Sequence, residues 1–158
     1  MKKKLVAIIT IITMTIGTFA TIPSETVRAA EEETMVDGSV LLNDAEESVG
    51  EMEPEARGQY LQTGTSKIVR AGTGKITVGA TTVAQKQVST IKAAVMVERL
   101  VNGNWVSYTS WTASKTNAYS LTTSKTLTVP RGYYYRVRSI HSANSDIGNS
   151  NTDALYVS

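Results

Sequence analysis

The sequence predicts an all-β domain, and three observations support this fold class. Asn102-Gly103 lies between two β-prone runs, and Asn-Gly is the strongest short-range signal for a type I′ hairpin turn. Short β-prone runs recur between turn residues through the rest of the chain, and no ten-residue stretch there carries a helical apolar stripe. Seven such strands in about 100 residues favour an antiparallel two-sheet β-sandwich, because a single sheet would leave one apolar face in water.

The predicted strands are separated by glycine, proline and Asn-Gly turn signals. They are Lys67–Ala71, Lys75–Ala84, Ile91–Val101, Trp105–Ala113, Tyr119–Thr122 or Lys125–Val129, Tyr133–Ala143, and Ala154–Val157. The late stretch from Asn144 to Asp153 is rich in Asn, Asp, Ser and Gly and is predicted to be a turn-forming loop.

The hairpin register determines which side chains face the core. A two-residue turn pairs Val101 with Asn104, Arg99 with Val106, and Val97 with Tyr108. The predicted core face is then Ala93, Val95, Val97, Val106 and Tyr108. The opposite, open face carries Met96, Leu100, Trp105 and Trp111. A three-residue loop would instead place both tryptophans beside the valines, because a one-residue slip flips one strand.

The open face of the hairpin has two interpretations. Met96, Leu100, Trp105 and Trp111 are a candidate ligand face, since exposed apolar patches mark interaction sites. Alternatively, the tryptophans cap an edge or cover the rim of the core.

The N-terminus has the pattern of a secretory signal peptide. Three lysines, Lys2 to Lys4, precede an apolar run from Leu5 to Ala20 that is shorter than the roughly 20 residues needed to span a bilayer. Cleavage after Ala29 places Val27 at the −3 position. The sequence therefore predicts a secreted, extracellular protein with no stable membrane anchor after cleavage of residues 1–29.

Residues 30–57 form an acidic segment. Ten acidic residues and no lysine or arginine occur between Glu31 and Ala56, and apolar residues are sparse. We predict a mostly disordered tail or linker, because so few apolar groups do not offset the entropy of ordering it. The predicted β-sandwich then covers residues 58–158.

The remainder of the chain is basic, with twelve lysines and arginines against three acids, Glu98, Asp146 and Asp153. This asymmetry indicates either that the acidic segment folds back on the domain or that the basic surface meets an anionic partner. The partner classes are an anionic cell-wall polymer, a glycan or an extracellular protein. Scattered bases are also typical of an ordinary solvated surface.

Composition gives little support for catalysis, metals or cofactors. The chain has no cysteine, so neither disulfides nor thiolate metal sites are available. His141 is the only histidine, no Gly-x-Ser-x-Gly motif is present, and no pair of carboxylates is placed for glycoside hydrolysis. The late loop fails the EF-hand spacing. We predict no enzyme, no metal, no cofactor and no nucleic-acid ligand.

The run from Leu127 to Ile140 resembles the corner and sixth strand of fibronectin type III-like and immunoglobulin-like sandwiches. The resemblance implies a corner tyrosine whose hydroxyl bonds to backbone just upstream, and Tyr133 is the candidate. Tyr135 and Val137 are expected to face inward, and Arg136 and Arg138 to face water. The early tryptophan and the cysteine pair of those folds are absent.

Three further motifs resemble an uncharacterised family of small secreted proteins from Gram-positive bacteria. They are Lys-Ile-Thr-Val from Lys75, Val-Met-Val-Glu-Arg-Leu-Val-Asn-Gly-Asn-Trp-Val from Val95, and Gly-Tyr-Tyr-Tyr-Arg-Val from Gly132 with a following histidine. This resemblance implies an extracellular β-sandwich and supplies no activity.

Two functions of different class remain. The first is a secreted non-catalytic binding or structural module that recognises an anionic cell-surface polymer or glycan. The second is a secreted effector or propeptide-bearing product, in which the acidic segment masks the basic domain.

Overall fold

Nine strands account for most of the part of the chain that the computed structural model describes, residues 34–53 and 58–158. The strands are β1 (Met35–Val36), β2 (Ser39–Leu42), β3 (Glu47–Glu51), β4 (Leu61–Arg70), β5 (Lys75–Val101), β6 (Asn104–Thr128), β7 (Tyr133–Ala143), β8 (Asp146–Asn151) and β9 (Ala154–Val157). These described residues contain no helix, so the predicted all-β class is confirmed. The predicted signal peptide lies outside the described residues.

Hydrogen bonding joins all nine strands into one curled, mixed sheet. Its order is β1-β2-β9-β7-β5-β4-β3, with β6 paired to β5 and β8 paired to β7. Every pairing is antiparallel except that of β2 with β9. The late stretch predicted as a loop contains β8, because its Asn and Ser residues alternate outward and inward as strand residues do.

The long strands β5 and β6 bend together within the curled sheet, at the place where their pairing register shifts. The first half of β5 pairs with β4, and its second half pairs with β7. The register shifts between Val83 and Val88, and Asn117 on the facing strand has a φ of 50°. The sequence predicted two separate strands on either side of this point, Lys75–Ala84 and Ile91–Val101, and the structure joins them in β5.

The core consists of two apolar clusters between the halves of the sheet. The larger cluster contains Ile68, Ile76, Val78, Ala80, Ala93, Val95, Val97, Val129, Tyr135, Val137, Leu155 and Val157. The smaller contains Met52, Leu61, Ala84, Val88, Ile91, Ala118 and Ala143. Both draw on β4, β5 and β7 or on residues next to them, so the bend in β5 is what closes the core.

The prediction of a disordered acidic segment is wrong for residues 34–53. Within them β1 and β2 form a hairpin through Asp37-Gly38, both at positive φ, and β3 pairs with five residues of β4. These residues contain few apolar side chains, but hydrogen bonds to polar groups attach them to the rest of the sheet. Ser39 donates to the Thr152 carbonyl at 2.9 Å, and the Val40 amide donates to the Asp153 carboxylate at 2.9 Å.

The hairpin turn is confirmed, but its register changes four residues beyond it. Val101 pairs with Asn104 and Arg99 with Val106 as predicted, and Asn102 and Gly103 have φ values of 51° and 79°. A β-bulge then adds one residue to β6, so Val97 pairs with Thr109. Beyond the bulge, every β6 side chain lies on the face opposite to the predicted one. Ala93, Val95 and Val97 are core residues as predicted, whereas Val106 and Tyr108 are exposed.

Tyr135 is the tyrosine that ties the corner before β7, in place of the predicted Tyr133. Its buried ring lies in the larger cluster, and its hydroxyl donates to the Pro130 carbonyl at 2.7 Å. Burial raises the pKa of this phenol. Tyr133 is half-buried, with the Arg99 guanidinium 4.5 Å from its ring centre. Tyr135 and Val137 face inward, as predicted.

Tyr135→Phe is expected to lower the free energy of unfolding by about 1–2 kcal/mol, because the Pro130 carbonyl loses its donor while the ring still fills the core. Tyr133→Phe is the matched control and is expected to change it by less than about 0.5 kcal/mol. Urea denaturation of both variants measures the difference. A larger loss for the Tyr133 variant would contradict the assignment of the corner to Tyr135.

Candidate binding site

The outward face of β5, β6, β7 and β8 carries a groove of about 430 Å³, here called the outer groove. Its lining residues are Ala94, Val95, Met96, Glu98, Ser110, Trp111, Thr112, Arg138, Ser139, Ile140, Asn149 and Asn151. Pairing sets Met96 between Ser110 and Arg138, and Ala94 between Thr112 and Ile140. The floor is therefore aliphatic, while hydroxyl groups from β6 and amides from β8 form the two sides.

Arg138 supplies a cation at the groove whose charge is only loosely compensated. Its Nε donates to the Asn151 side-chain oxygen at 3.2 Å, and its Nη1 lies 4.0 Å from Oε1 of Glu98. Its side chain is 44% exposed. Since an anion approaching Arg138 from solvent loses little hydration and meets a positive group, this end of the groove favours anionic ligands.

Arg136 lies one row further along the same face and is 1% exposed, although the sequence placed it in water. Its Nε donates to Oε2 of Glu98 at 2.7 Å, and Nη2 donates to the Asp37 carboxylate at 2.9 Å. Its Nη1 donates to the Asp37 carbonyl at 2.7 Å and to Ser39 Oγ at 3.2 Å. We call this set of contacts the Arg136 clasp. It attaches the β1–β2 hairpin to β5 and β7.

The Arg136 clasp also determines the position of Trp105. The Arg136 guanidinium lies 4.2 Å from the centre of the indole, and the indole N–H donates to the Val36 carbonyl at 3.1 Å. The hydrogen bond from Arg136, followed by its positive charge, lowers the pKa of Asp37. The β1–β2 hairpin therefore covers one end of the face that holds the outer groove.

The predicted ligand face is divided by the bulge. Trp105 pairs with Leu100 as predicted and is half-buried, with its indole N–H bonded to the β1–β2 hairpin. Trp111 pairs with the buried Val95, packs against the larger apolar cluster and donates its indole N–H to Thr123 Oγ1 at 3.0 Å. Of the four predicted residues, Met96 and Trp111 line the outer groove. Both indole N–H groups are thus bonded within the protein, and Trp111 covers part of the core as the alternative interpretation expects.

A second polar cluster is enclosed between the two apolar clusters. Ser66 Oγ lies 2.7 Å from Oγ of both Ser139 and Ser150, and Ser150 Oγ lies 2.8 Å from His141 Nε2. His141 Nδ1 lies 2.8 Å from Thr82 Oγ1. These five side chains are at most 2% exposed. A serine-histidine contact is therefore present, but no carboxylate orients the imidazole and no substrate reaches the serine.

The hydrogen bonds of this cluster select one neutral tautomer of His141. Thr82 donates its single hydroxyl hydrogen to the Lys92 carbonyl at 3.2 Å, so it accepts from Nδ1–H of the imidazole. Nε2 is then unprotonated and accepts the Ser150 hydroxyl. Burial disfavours the imidazolium and lowers the pKa of His141 to about 4. The histidine is a structural group whose charge is excluded at neutral pH.

The three acidic residues of the basic region, Glu98, Asp146 and Asp153, all accept hydrogen bonds that connect parts of the fold. Glu98 binds Arg136, and the Asp153 carboxylate accepts the Val40 amide. The Asp146 carboxylate accepts the amides of Tyr60 and Leu61, which lower its pKa. No group of three or more His, Cys, Asp or Glu that could hold a metal ion occurs in residues 34–53 and 58–158. Within the same ranges, no helix is long and apolar enough to cross a membrane.

Two other surface features are less suited to binding. A trough of about 220 Å³ on the outward face of β3 to β6 is lined by five threonines among small and apolar residues. The hydroxyl of Thr77 pairs with that of Thr126, and the hydroxyl of Thr81 pairs with that of Thr122. Among the strands of the described residues, β6 pairs with β5 alone. Its edge carries Lys115 and Lys125, which lie opposite the buried Ile91 and Val78 and so project toward the core side. Inward-projecting lysines are a known protection against edge pairing.

Sequence reasoning missed Arg138 and Ile140 as site residues. Arg138 was correctly predicted to face water. Ile140 is two residues further along β7, so its side chain lies on the same outward face, and it is 53% exposed. A large apolar side chain at an outward-facing position of a predicted strand was the signal that could have identified Ile140. The contribution of β8 had no signal, because that strand was predicted as a loop.

The model of a family of unknown function (DUF6147) matches residues 28–158, which include both the acidic segment and the whole sheet. No curated protein matches the chain.

Replacing Arg136 is expected to destabilise the fold more than replacing any exposed arginine. Arg136→Met leaves Glu98 buried without its cation, so the free energy of unfolding should fall by about 3–5 kcal/mol. Arg138→Met, on the same strand and face, should cost about 1 kcal/mol or less. Chemical denaturation provides both values. Equal losses for the two variants would show that the Arg136 clasp does not hold the hairpin.

His141 is expected to make stability depend on pH between about 6.5 and 4. The unfolded histidine binds its proton near pH 6.5 and the folded one near pH 4, so the unfolded state gains protons first and stability falls as the pH falls. The loss should approach roughly 3 kcal/mol at pH 4. Unfolding of the wild type and of His141→Gln is measured from pH 7 to 3. The variant should lose this slope and keep any decline due to Asp37 and Asp146 at lower pH. An unchanged slope in the variant would assign the dependence to other groups.

Proposed function

Because the chain belongs to this family of unknown function (DUF6147), we propose its function from its own surface: a secreted, non-catalytic binding module that holds an anionic ligand in the outer groove. The signal-peptide pattern of residues 1–29 supports the extracellular location. The curled sheet serves as the rigid scaffold, in the manner of the immunoglobulin-like and fibronectin type III-like sandwiches that the sequence resembles.

The observation that carries this proposal is the aliphatic floor of the outer groove beside an exposed arginine. Met96 is 37% exposed and Ile140 is 53% exposed, and both lie within one pairing row of Arg138. A folded chain gains by burying such residues, yet this sheet keeps them outside while its other face fills the core. Clefts that combine an apolar floor with a few placed polar groups are the usual form of a ligand site.

The masking hypothesis receives less support. In the residues described, the acidic segment supplies β1, β2 and β3, of which β2 pairs with β9 and β3 pairs with β4. Removal of that segment would take three strands and the Arg136 clasp out of the sheet. We therefore treat the acidic segment as part of the scaffold.

Ile140→Asp tests the proposal, because it places a negative charge on the floor of the groove. The matched control is Val49→Asp, on the outward face of β3, where the valine is 49% exposed. Each variant should unfold within about 0.5 kcal/mol of the wild type. The probes are teichoic acid, polygalacturonate, polyglutamate and dextran, measured by isothermal titration calorimetry.

We expect at least one anionic probe to bind the wild type and the Val49 variant alike, with at least a tenfold loss for Ile140→Asp. Dextran, which is neutral, should not bind. Failure of every anionic probe, or equal binding by both variants, would overturn the outer groove as the site.

A further inference from the structure

The face that carries the outer groove already holds one acidic, extended segment, namely the chain's own β1–β2 hairpin. Arg136 donates to the carboxylate and to the carbonyl of Asp37, and the indole N–H of Trp105 donates to the carbonyl of Val36. These contacts recognise an acidic side chain and the extended backbone beside it. The same kinds of contact would bind a peptide, and here they bind a segment of the same chain.

Arg138 is two residues further along β7 than Arg136, so it lies on the same face of the strand. Successive even-numbered residues of a strand project on the same side about 6–7 Å apart, so both guanidinium groups lie on this face. Glu98 lies between them, with Oε2 at 2.7 Å from Arg136 and Oε1 at 4.0 Å from Arg138. Arg136 is enclosed by its partners, whereas Arg138 is 44% exposed at the wall of the groove.

The lining of the groove distinguishes a peptide from a glycan. Sugar rings are commonly bound by stacking on aromatic faces. Trp105 donates its indole N–H to the Val36 carbonyl. Trp111, which lines the groove, packs against the larger apolar cluster and already has the Lys125 ammonium 4.6 Å from its ring centre. The floor is formed by Ala94, Met96 and Ile140, which suit an aliphatic side chain. The amides of Asn149 and Asn151 and the hydroxyls of Ser110 and Thr112 stand on either side, at positions where they meet a peptide backbone.

From this arrangement we infer that the outer groove binds an extended acidic segment of a partner protein, with a carboxylate on Arg138 and an aliphatic side chain over Met96 and Ile140. The inference rests on the proposed function and specifies its ligand. Lys92 lies on the same face beyond Ala94, so a second carboxylate further along the segment meets a second cation. An alternating acidic and aliphatic sequence satisfies both requirements.

The test uses fluorescein-labelled hexapeptides and the full-length secreted chain, measured by fluorescence anisotropy. The probe alternates valine and glutamate, and the comparison peptides alternate valine with lysine and glycine with glutamate. Arg138→Gln removes the cation of the groove. Arg131→Gln is the matched control, because Arg131 lies in the exposed turn before β7.

We expect the valine-glutamate peptide to bind, with an affinity that falls as salt rises. Arg138→Gln should weaken binding at least tenfold, and Arg131→Gln should leave it within twofold. The glycine-glutamate peptide should bind at least fivefold more weakly, because the floor loses its apolar contact. The valine-lysine peptide should not bind.

Four results would overturn the inference. Absence of binding by the valine-glutamate peptide, or equal binding to Arg138→Gln, removes the peptide ligand. If teichoic acid or polygalacturonate binds through Ile140 while the peptide does not, the proposed function stands and the ligand is a different polyanion. Self-association that Arg138→Gln abolishes, measured by sedimentation, assigns the groove to a second copy of this chain.

Discussion

The buried guanidinium of Arg136 is the interaction on which the arrangement of this protein depends. A cation with 1% exposure is tolerated only where anions and carbonyl groups replace its water. Glu98 supplies one such group from within β5, and the others come from Asp37 and Ser39, about 100 residues away in the chain. The requirement to satisfy one arginine therefore recruits the acidic segment into the sheet. The same contacts position Trp105 and limit the outer groove at one end.

The core also contains buried polar side chains whose hydrogen bonds are satisfied by other strands. On the inner side of β7, the order Val137, Ser139, His141, Ala143 places two polar residues between two apolar ones. The facing strands match it with Ser66 on β4 and Thr82 on β5, so every buried hydroxyl meets a partner. Gly64 is required there because a Cβ would lie 2.3 Å from the His141 ring. Polar pairing thus joins the two apolar clusters into one core.

Local signals in the sequence were sufficient for the fold class, the Asn102-Gly103 turn and the inward alternation of β7. They were insufficient for the bulge, since Tyr108 has the same β preference as its neighbours and nothing local indicates an extra residue. The composition of residues 34–53 predicted disorder incorrectly, because a count of charges cannot show that Asp37 has the buried Arg136 as its partner. Of the residues that line the outer groove, Met96 and Trp111 belong to the predicted ligand face. The others were not predicted, since the groove depends on the order in which β6, β5, β7 and β8 pair.

Hydrogen–deuterium exchange of the wild-type protein tests the central claim most directly, namely that the acidic segment is a part of the sheet. Amides of β2 and β3 should exchange far more slowly than those of an unstructured peptide, because they are bonded to β9 and β4 and to Asp153. Slow exchange in Ser39–Leu42 and Glu47–Glu51, close to that of β4, is the result expected. Exchange of both stretches at the rate of a free peptide, while β4 and β5 remain protected, would contradict the account.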